Sequence, residues 1–194
     1  MSETVRTFIA IEMPESARAF LARCQDRLKG SGGTVRWLRP ELIHLTLVFL
    51  GEVAAARLPA VEAAVREAAG GFAPLTLEPR GVGRFPPRGR PRVVWVGIDE
   101  PTGGLVRLQK AVADATAAFA EKVEDRAYAA HLTLGRVQGG DVHALGEAVD
   151  AMADERGRAL EAREVVVFRS VLAPGGPTYT AMAKVALAGK GASS

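Results

Sequence analysis

A four-residue motif, His-Leu-Thr-Leu, occurs twice in the chain. It occupies residues 44–47 and 131–134 and so includes two of the three histidines. A single His-x-Thr carries little information, because most histidines in apolar strands are hydrogen-bonded structural or surface residues. Two copies with identical spacing indicate an internal duplication and favour a functional pair. The third histidine, His143, has no such counterpart and is expected to be solvated on a helix.

Each copy lies in a strand-like run, which determines where its side chains point. Residues i and i+2 of a strand leave the same face of the sheet. His44 and Thr46 therefore project together, as do His131 and Thr133, while the leucines of both copies point into the core. If a pseudo-twofold axis relates the two halves, the two polar pairs face one cleft from opposite sides.

Two imidazoles across a cleft are suited to acid–base chemistry near neutral pH. With an unperturbed pKa of about 6.5, one ring can be neutral while the other is protonated. The neutral ring can take a proton from a nucleophile while the imidazolium gives one to the leaving oxygen. The threonine hydroxyls can donate to the oxygens of a phosphate between the rings. Reaching one phosphate would put the imidazoles roughly 5–8 Å apart, and this chemistry requires neither metal nor cofactor.

The composition is that of a globular protein and excludes several classes. Hydrophobic residues make up 48% of the 194 residues and charged residues 24%, which excludes wholesale disorder. The single cysteine, Cys24, excludes an internal disulfide and a cysteine-ligated metal cluster. We find no targeting signal and no apolar stretch near the ~20 residues of a membrane helix, so a cytoplasmic protein with no membrane partner is expected. A net charge of +3 and a pI near 9.3 suit a polyanionic partner without requiring one.

Hydrophobic periodicity predicts an α+β fold in which neighbouring strands pair and helices form the crossovers. Strands are predicted at residues 5–11, 35–38, 43–50, 72–78, 91–98, 130–137, 164–172 and 178–187. Helices are predicted at residues 14–28, 54–69, 105–120 and 141–152, and residues 189–194 are expected to form a flexible tail.

The chain resembles the 2H phosphoesterase superfamily, and more closely the RNA 2′,3′-cyclic phosphodiesterases, also called the 2′-5′ RNA ligase family. The resemblance rests on the paired His-x-Thr motif and extends over nearly the whole chain. Flanking matches follow in the family's order: Phe8–Ile11, Pro14, Trp37, Pro40, Val48–Gly51, Phe85–Pro87, Arg92–Gly97, Gly135–Arg136, Ser170–Leu172 and Gly176–Tyr179. One segment departs from the family, since Tyr128-Ala129-Ala130 replaces its usual Phe-x-Pro before the second motif.

The resemblance implies a bilobal fold, with two pseudo-symmetric sheet-plus-helix lobes around a central cleft. Residues 1–188 would form this single catalytic domain. It also implies hydrolysis of a terminal 2′,3′-cyclic phosphate on RNA to a 2′-phosphate, without cofactor or metal. His44 would be the general acid that protonates the departing O3′, and His131 the general base that activates water.

The resemblance also assigns substrate-binding residues. Thr46 and Thr133 would bind the phosphate, Arg136 would contact phosphate, and Phe49 would lie near a base. Arg136 and Phe49 each follow the motif histidine by five residues, so a regular strand would point them away from the cleft. For Arg136 we predict an irregularity at Gly135 that redirects the chain, the alternative being a long side chain that reaches round. For Phe49 the alternative is a core aromatic.

Two interpretations remain open for each of three further features. The segment Arg80–Arg92 contains five arginines, which could steer RNA or simply keep an exposed loop soluble. Trp37 and Trp95 are expected in the core, the alternative being a stack against a base in the cleft.

Two other functions remain open alongside hydrolysis. In one, the cleft binds RNA ends without catalysing a reaction. In the other, a 5′-hydroxyl replaces water as the nucleophile, and the same site forms a 2′-5′ linkage. No obligate protein partner is indicated, and a monomer is expected.

Overall fold

The computed structural model describes residues 3–174 and 176–189, in which there are nine strands and four helices. The strands are β1 (Thr4–Glu12), β2 (Thr34–Trp37), β3 (His44–Ala54), β4 (Leu75–Phe85), β5 (Val93–Asp99), β6 (His131–Gly139), β7 (Leu160–Ala162), β8 (Glu164–Ala173) and β9 (Gly176–Ala186). The helices are α1 (Glu15–Leu28), α2 (Leu58–Ala69), α3 (Gly104–Thr116) and α4 (His143–Asp150). The predicted α+β class is confirmed.

The strands form one antiparallel sheet in the order β7-β4-β5-β6-β3-β1-β8-β9, with β2 paired to β6. Its centre is the contact between β3 and β6, the two strands that carry the motifs. On one side β3 pairs with β1, and on the other β6 pairs with β5. A helix follows each of these partners, α1 after β1 and α3 after β5. The units β1-α1-β3 and β5-α3-β6 therefore correspond to each other.

The helices and one face of the sheet enclose the main core. Leu45 and Leu132, from the two motifs, are completely buried there. Apolar residues from the helices pack in the same cluster, including Leu21 of α1, Val65 of α2 and Leu108 of α3. Full burial stabilises each such side chain by roughly 1.5–3 kcal/mol. This packing holds β3 and β6 in place. The motif histidines project from the opposite face of these two strands.

A smaller apolar cluster lies on that opposite face. It consists of the four buried residues Phe8, Ala10, Val166 and Phe168, with Tyr179 packed against them. These residues come from β1, β8 and β9, which are the strands beyond β3. The half of the motif face formed by β1, β8 and β9 is therefore apolar and rich in aromatic rings.

Some predicted boundaries are wrong. The second helix begins at Leu58 rather than at residue 54, because β3 continues to Ala54 and a 3-10 turn follows it. The strand predicted at 72–78 is β4, which extends to Phe85, so half of the arginine-rich segment is strand rather than loop. Its glycines suggested a loop, but Gly81 forms a bulge opposite β5. The short strand β7 was not predicted.

The predicted tail lies almost entirely outside the described residues. Gly189, its first residue, donates its N–H to the carbonyl of Phe72 at 2.9 Å. Among the helices of residues 3–174 and 176–189, none has the length and apolar character needed to cross a membrane.

Candidate active site

The two motifs lie side by side at the centre of the sheet. Leu45 of β3 pairs with Leu132 of β6 in antiparallel register. Continuing this register by one residue in each direction puts His44 opposite Thr133 and Thr46 opposite His131. Residues that face each other across a ladder share one face of the sheet. The four polar side chains are therefore together, with the two histidines as diagonal neighbours about 7–8 Å apart and their β-carbons somewhat closer.

The two histidines are held by equivalent hydrogen bonds. Nδ1 of His44 lies 2.8 Å from the carbonyl oxygen of Leu42, and Nδ1 of His131 lies 2.7 Å from that of Ala129. Because a carbonyl oxygen only accepts, each Nδ1 carries the proton and donates. Each Nε2 is then a base when its ring is neutral and an acid when its ring is protonated. The arrangement supplies two matched proton-transfer groups.

Aromatic rings surround His44. The Phe8 ring stacks on the imidazole with centroids 4.7 Å apart, and the Tyr179 ring meets it edge-on at 5.2 Å. Burial lowers the pKa of His44, while the bond to the carbonyl of Leu42 and the carboxylate of Glu12 act in the opposite direction. Glu12 pairs with His44 across β1 and β3, which explains its influence. The free protein therefore favours a neutral His44.

His131 has a different set of aromatic neighbours. The Phe85 ring meets its imidazole edge-on at 5.1 Å, and the Trp95 ring lies 6.4 Å away. Trp95 pairs with Thr133, so it is on the motif face, and its indole covers Gly83. The prediction of a core position is thus wrong for Trp95. Trp37 does pack against the main core, as predicted.

A β-bulge occurs at the fourth residue of each motif. Thr133 pairs with Trp95 but Gly135 pairs with Val94, which leaves Leu134 as the extra residue. In the first motif, Thr46 pairs with Ala10 but Val48 pairs with Ile9, which leaves Leu47 as the extra residue. A bulge re-aims the side chains that follow it. The predicted irregularity is therefore present, with Leu134 rather than Gly135 as the extra residue, and the first motif has a bulge at the same position.

The bulges bring Arg136 and Phe49 to the motif face. Arg136 pairs with Val93, two residues from Trp95 on β5, and so shares a face with Thr133. Phe49 pairs with Phe8, two residues from Ala10 on β1, and so shares a face with Thr46. Phe49 is 47% exposed, which excludes the core alternative. The guanidinium of Arg6 lies 4.6 Å from the centroid of its ring.

Two glutamines that no sequence motif singled out bond to the bulges from the helical layer. The side-chain amide of Gln25 in α1 donates to the carbonyl of Leu134 at 2.9 Å and to that of Leu38 at 2.7 Å. Gln109 in α3 donates to the carbonyl of Leu47 at 3.4 Å. Gln25 is only 2% exposed and lies on the apolar face of α1, a signal that could have identified it. Corresponding helices therefore support corresponding bulges.

Tyr128 connects the approach to the second motif with the first motif. Its hydroxyl donates to the carbonyl of Thr46 at 3.0 Å, and burial raises the pKa of this hydroxyl. The carbonyl of Ala130 accepts a hydrogen bond from Ile98 of β5 at 3.1 Å. These contacts fix the start of β6 in a segment that lacks the proline usual in the resembled family.

Three of the five arginines of the segment Arg80–Arg92 form ion pairs or hydrogen bonds within the protein. Arg80 pairs with Asp99 and Arg84 with Asp150, each at 2.9 Å, and Arg90 donates to the carbonyl of Gly140 at 3.0 Å. Arg88 and Arg92 are exposed. A role of this segment in steering RNA stays a prediction, now centred on these two residues.

A small pocket of about 90 Å³ adjoins His44. Its lining includes Glu12, Arg18, Glu41 and Tyr179. Lys184, which bonds to both Glu12 at 3.2 Å and Glu164 at 2.7 Å, restrains the carboxylate of the residue that pairs with His44. Among the residues that the structure describes, no three His, Cys, Asp or Glu side chains are grouped as a metal site would require.

Comparison with protein families shows the duplication directly. The family model described as LigT like Phosphoesterase matches residues 11–95 and again residues 96–179. An RNA 2′,3′-cyclic phosphodiesterase of Methanothermobacter thermautotrophicus is 35% identical over 92% of this chain and 96% of its own length. A protein of the same name from Archaeoglobus fulgidus is 34% identical over 90% of this chain and 96% of its own.

Solved structures share the architecture. The protein TT0787 of Thermus thermophilus superposes with a TM-score of 0.80 at 28% identity, over 95% of this chain and 99% of its own. Escherichia coli LigT complexed with 3′-AMP superposes with a TM-score of 0.77 at 25% identity, over the same shares of the two chains.

Proposed function

The chain belongs to the LigT-like phosphoesterase family, and we propose that it is an RNA 2′,3′-cyclic phosphodiesterase that converts a terminal 2′,3′-cyclic phosphate to a 2′-phosphate. The observation that carries the proposal is the pairing of Leu45 of β3 with Leu132 of β6. Continued by one residue in each direction, this register puts each histidine opposite the threonine of the other motif. Four groups suited to one phosphate thus come from two copies of one motif. Residues 1–188 would act as a single bilobal catalytic domain.

The proposed reaction is an in-line displacement at phosphorus. Nε2 of neutral His131 takes a proton from water as the water oxygen bonds to phosphorus. The bond from phosphorus to O3′ breaks, and protonated His44 gives its Nε2 proton to O3′. The phosphate remains attached to the ribose through O2′, so the product is a 2′-phosphate. Exchange of protons with solvent restores both histidines.

The threonines and the substrate itself assist these proton transfers. The hydroxyls of Thr46 and Thr133 donate to the non-bridging oxygens, where negative charge increases in the transition state. Burial disfavours the imidazolium form of His44 in the free protein. A bound phosphodiester carries a negative charge, which favours that form. Substrate binding would therefore help to protonate the general acid.

The residues beyond the motifs would bind the rest of the nucleotide. Arg136 is assigned to phosphate and Phe49 to a base on the family resemblance, and their position on the motif face supports both assignments. Tyr179, edge-on to His44, is a further aromatic candidate for the terminal base because it lies beside the histidine assigned to O3′.

Product analysis tests the proposed function. An RNA that ends in a 2′,3′-cyclic phosphate is incubated with the protein, and the position of the terminal phosphate is identified. We expect a 2′-phosphate. A 3′-phosphate would contradict the assignment, and binding without any product would indicate an RNA-end-binding module instead. A parallel reaction with a strand bearing a 5′-hydroxyl detects formation of a 2′-5′ linkage.

A further inference from the structure

Two arginines face each other beside the catalytic centre. Arg36 of β2 pairs with Arg136 of β6, so their side chains share the motif face. Both are exposed, and within residues 3–174 and 176–189 neither has an acidic partner. Like charges directly opposite each other destabilise a sheet. A bound anion would remove this repulsion.

The arginine pair lies at the His44 end of the cleft. Because β6 runs antiparallel to β3, Thr133 is opposite His44. Arg136 is three residues further along β6, so its Cα lies within about 10 Å of the Cα of Thr133. Tyr179 lies at the same end, since its ring meets that of His44 at 5.2 Å. Burial raises the pKa of Tyr179, and the positive charges of Arg136 and Arg6 oppose this effect.

The strand β9 also faces Arg36. Nη2 of Arg36 lies 3.8 Å from the position that a β-carbon on Gly176 would occupy. Gly176 and Tyr179 both belong to β9, which lies in the other half of the sheet from β2 and β6. The arginine pair and β9 therefore form two sides of one basic groove that continues the cleft.

The chemistry of the reaction decides what occupies this groove. In an in-line displacement, the departing O3′ and the attacking water are on opposite sides of phosphorus. If His44 protonates O3′, the ribose lies at the His44 end and the water at the His131 end. The RNA chain is joined to that ribose through its 5′ oxygen. The preceding nucleotide must then leave the centre on the side of Arg36 and Arg136.

We propose that Arg36 and Arg136 bind the phosphodiester that precedes the terminal nucleotide, so that the enzyme prefers an RNA chain to a single cyclic nucleotide. The proposal rests on the proposed function and on the assignment of His44 to O3′. The planar guanidinium donates two parallel hydrogen bonds to phosphate, which makes arginine well suited to this site.

The test compares two substrates that differ in the preceding phosphate. A cyclic mononucleotide and a tetranucleotide with the same cyclic end are assayed, and the ratio of their kcat/KM values is the readout. We expect the wild-type ratio to favour the tetranucleotide. Arg36→Ala should reduce this ratio by about 5- to 30-fold, through KM rather than kcat, because it removes a charged hydrogen bond. Arg36→Gln, with a similar shape and no charge, should reduce it in the same direction.

Two variants serve as controls. Arg66→Ala removes the same charge from an exposed position on α2, in the helical layer, and should leave the ratio unchanged. Arg6→Ala removes the arginine over Phe49, which stands on β1 on the other wall of the cleft and also acts on Tyr179. A ratio that falls in Arg6→Ala and not in Arg36→Ala would overturn the proposal, because the preceding phosphate would then bind against β1 rather than at the arginine pair of β2 and β6. A wild-type ratio near one would overturn it as well.

Binding separates this inference from the proposed function. Should the wild type convert neither substrate, the proposed function fails, and the affinities for a nucleoside 2′-monophosphate and for a tetranucleotide ending in a 2′-phosphate still test the groove. Tighter binding of the tetranucleotide, with a salt dependence that weakens by about 0.7 in log–log slope in Arg36→Ala, supports a phosphate contact. Equal affinities for the two ligands, or the same slope in the variant, contradict it.

Discussion

His44 and His131 make the same Nδ1 hydrogen bond but have different surroundings. Both donate to a carbonyl two residues earlier, at 2.8 and 2.7 Å. His44 lies among Phe8, Phe168 and Tyr179, with Glu12 as the nearby carboxylate, whereas Phe85 and Trp95 are the neighbours of His131. Burial alone favours the neutral, proton-accepting form of His44, so its role as the acid depends on the negative charge of the bound phosphodiester.

The titration of His44 follows from its burial. Burial lowers its pKa, so in the free protein the imidazole should become protonated only below the usual value of about 6.5. Glu12→Gln removes the charge that opposes this effect, so the midpoint should move to still lower pH. Titration of the His44 ring by NMR measures both values.

Glu164→Gln is the matched control for this substitution. Glu164 shares Lys184 with Glu12, yet Glu12 is the carboxylate that acts on His44. We expect the control to leave the midpoint close to that of the wild type. A midpoint above 6.5 in the wild-type free protein, or an upward shift in Glu12→Gln, would contradict the account of His44.

At the scale of the elements, the two bulges at Leu47 and Leu134 determine which residues face the site. Without them, alternation would turn Arg136 and Phe49 towards the helical layer. A β-carbon on Gly135 would lie 2.8 Å from the rings of Trp37 and from Val35, so β2 and β6 can approach only if this residue is glycine.

Substitution of Gly135 tests the close approach of β2 and β6. Gly135→Ala should lower the free energy of unfolding by about 1–3 kcal/mol, because the added methyl group forces Trp37 and Val35 to move. Gly139→Ala, in the same strand and facing open space, should change it by less than about 0.5 kcal/mol. Denaturant unfolding measures both. Equal effects of the two substitutions would count against the tight packing at Gly135.

Substitution of Gln25 tests the support of the second bulge. Gln25→Leu keeps the volume but removes the donor to the carbonyls of Leu38 and Leu134, which should cost about 1–3 kcal/mol of stability. Gln109→Leu should cost less, since Gln109 is half-buried and makes one longer bond. The reverse order in denaturant unfolding would show that these bonds do not support the bulges.

Local spacing in the sequence predicts the motif face, but not the position of every residue on it. The His and Thr pairs follow from strand alternation, and Gly135 marks the bulge at the residue before it. The bulge at Leu47 has no glycine to mark it and is bonded by Gln109, 62 positions away. Phe49 could therefore not be assigned from alternation alone. Trp95 was misplaced for a related reason, because its face depends on the pairing of β5 with β6.

At the scale of the whole molecule, duplication explains how one cleft receives two equivalent halves. The family model matches residues 11–95 and 96–179 separately, and β1-α1-β3 corresponds to β5-α3-β6. The recurring motif made this duplication visible in the sequence. The pairing of β3 with β6, which brings the halves together, joins residues 87 positions apart and has no local signature.

The most direct test of the account is a double-mutant cycle on the two histidines, with the cyclic-phosphate RNA as substrate. If both imidazoles act on one phosphate in one step, His44→Ala and His131→Ala should each lower kcat by about 10²–10⁴-fold. The double variant should then be little slower than the slower single variant, because groups that act as a unit are not additive. Near-normal turnover by either single variant, or losses that multiply in the double variant, would contradict the account.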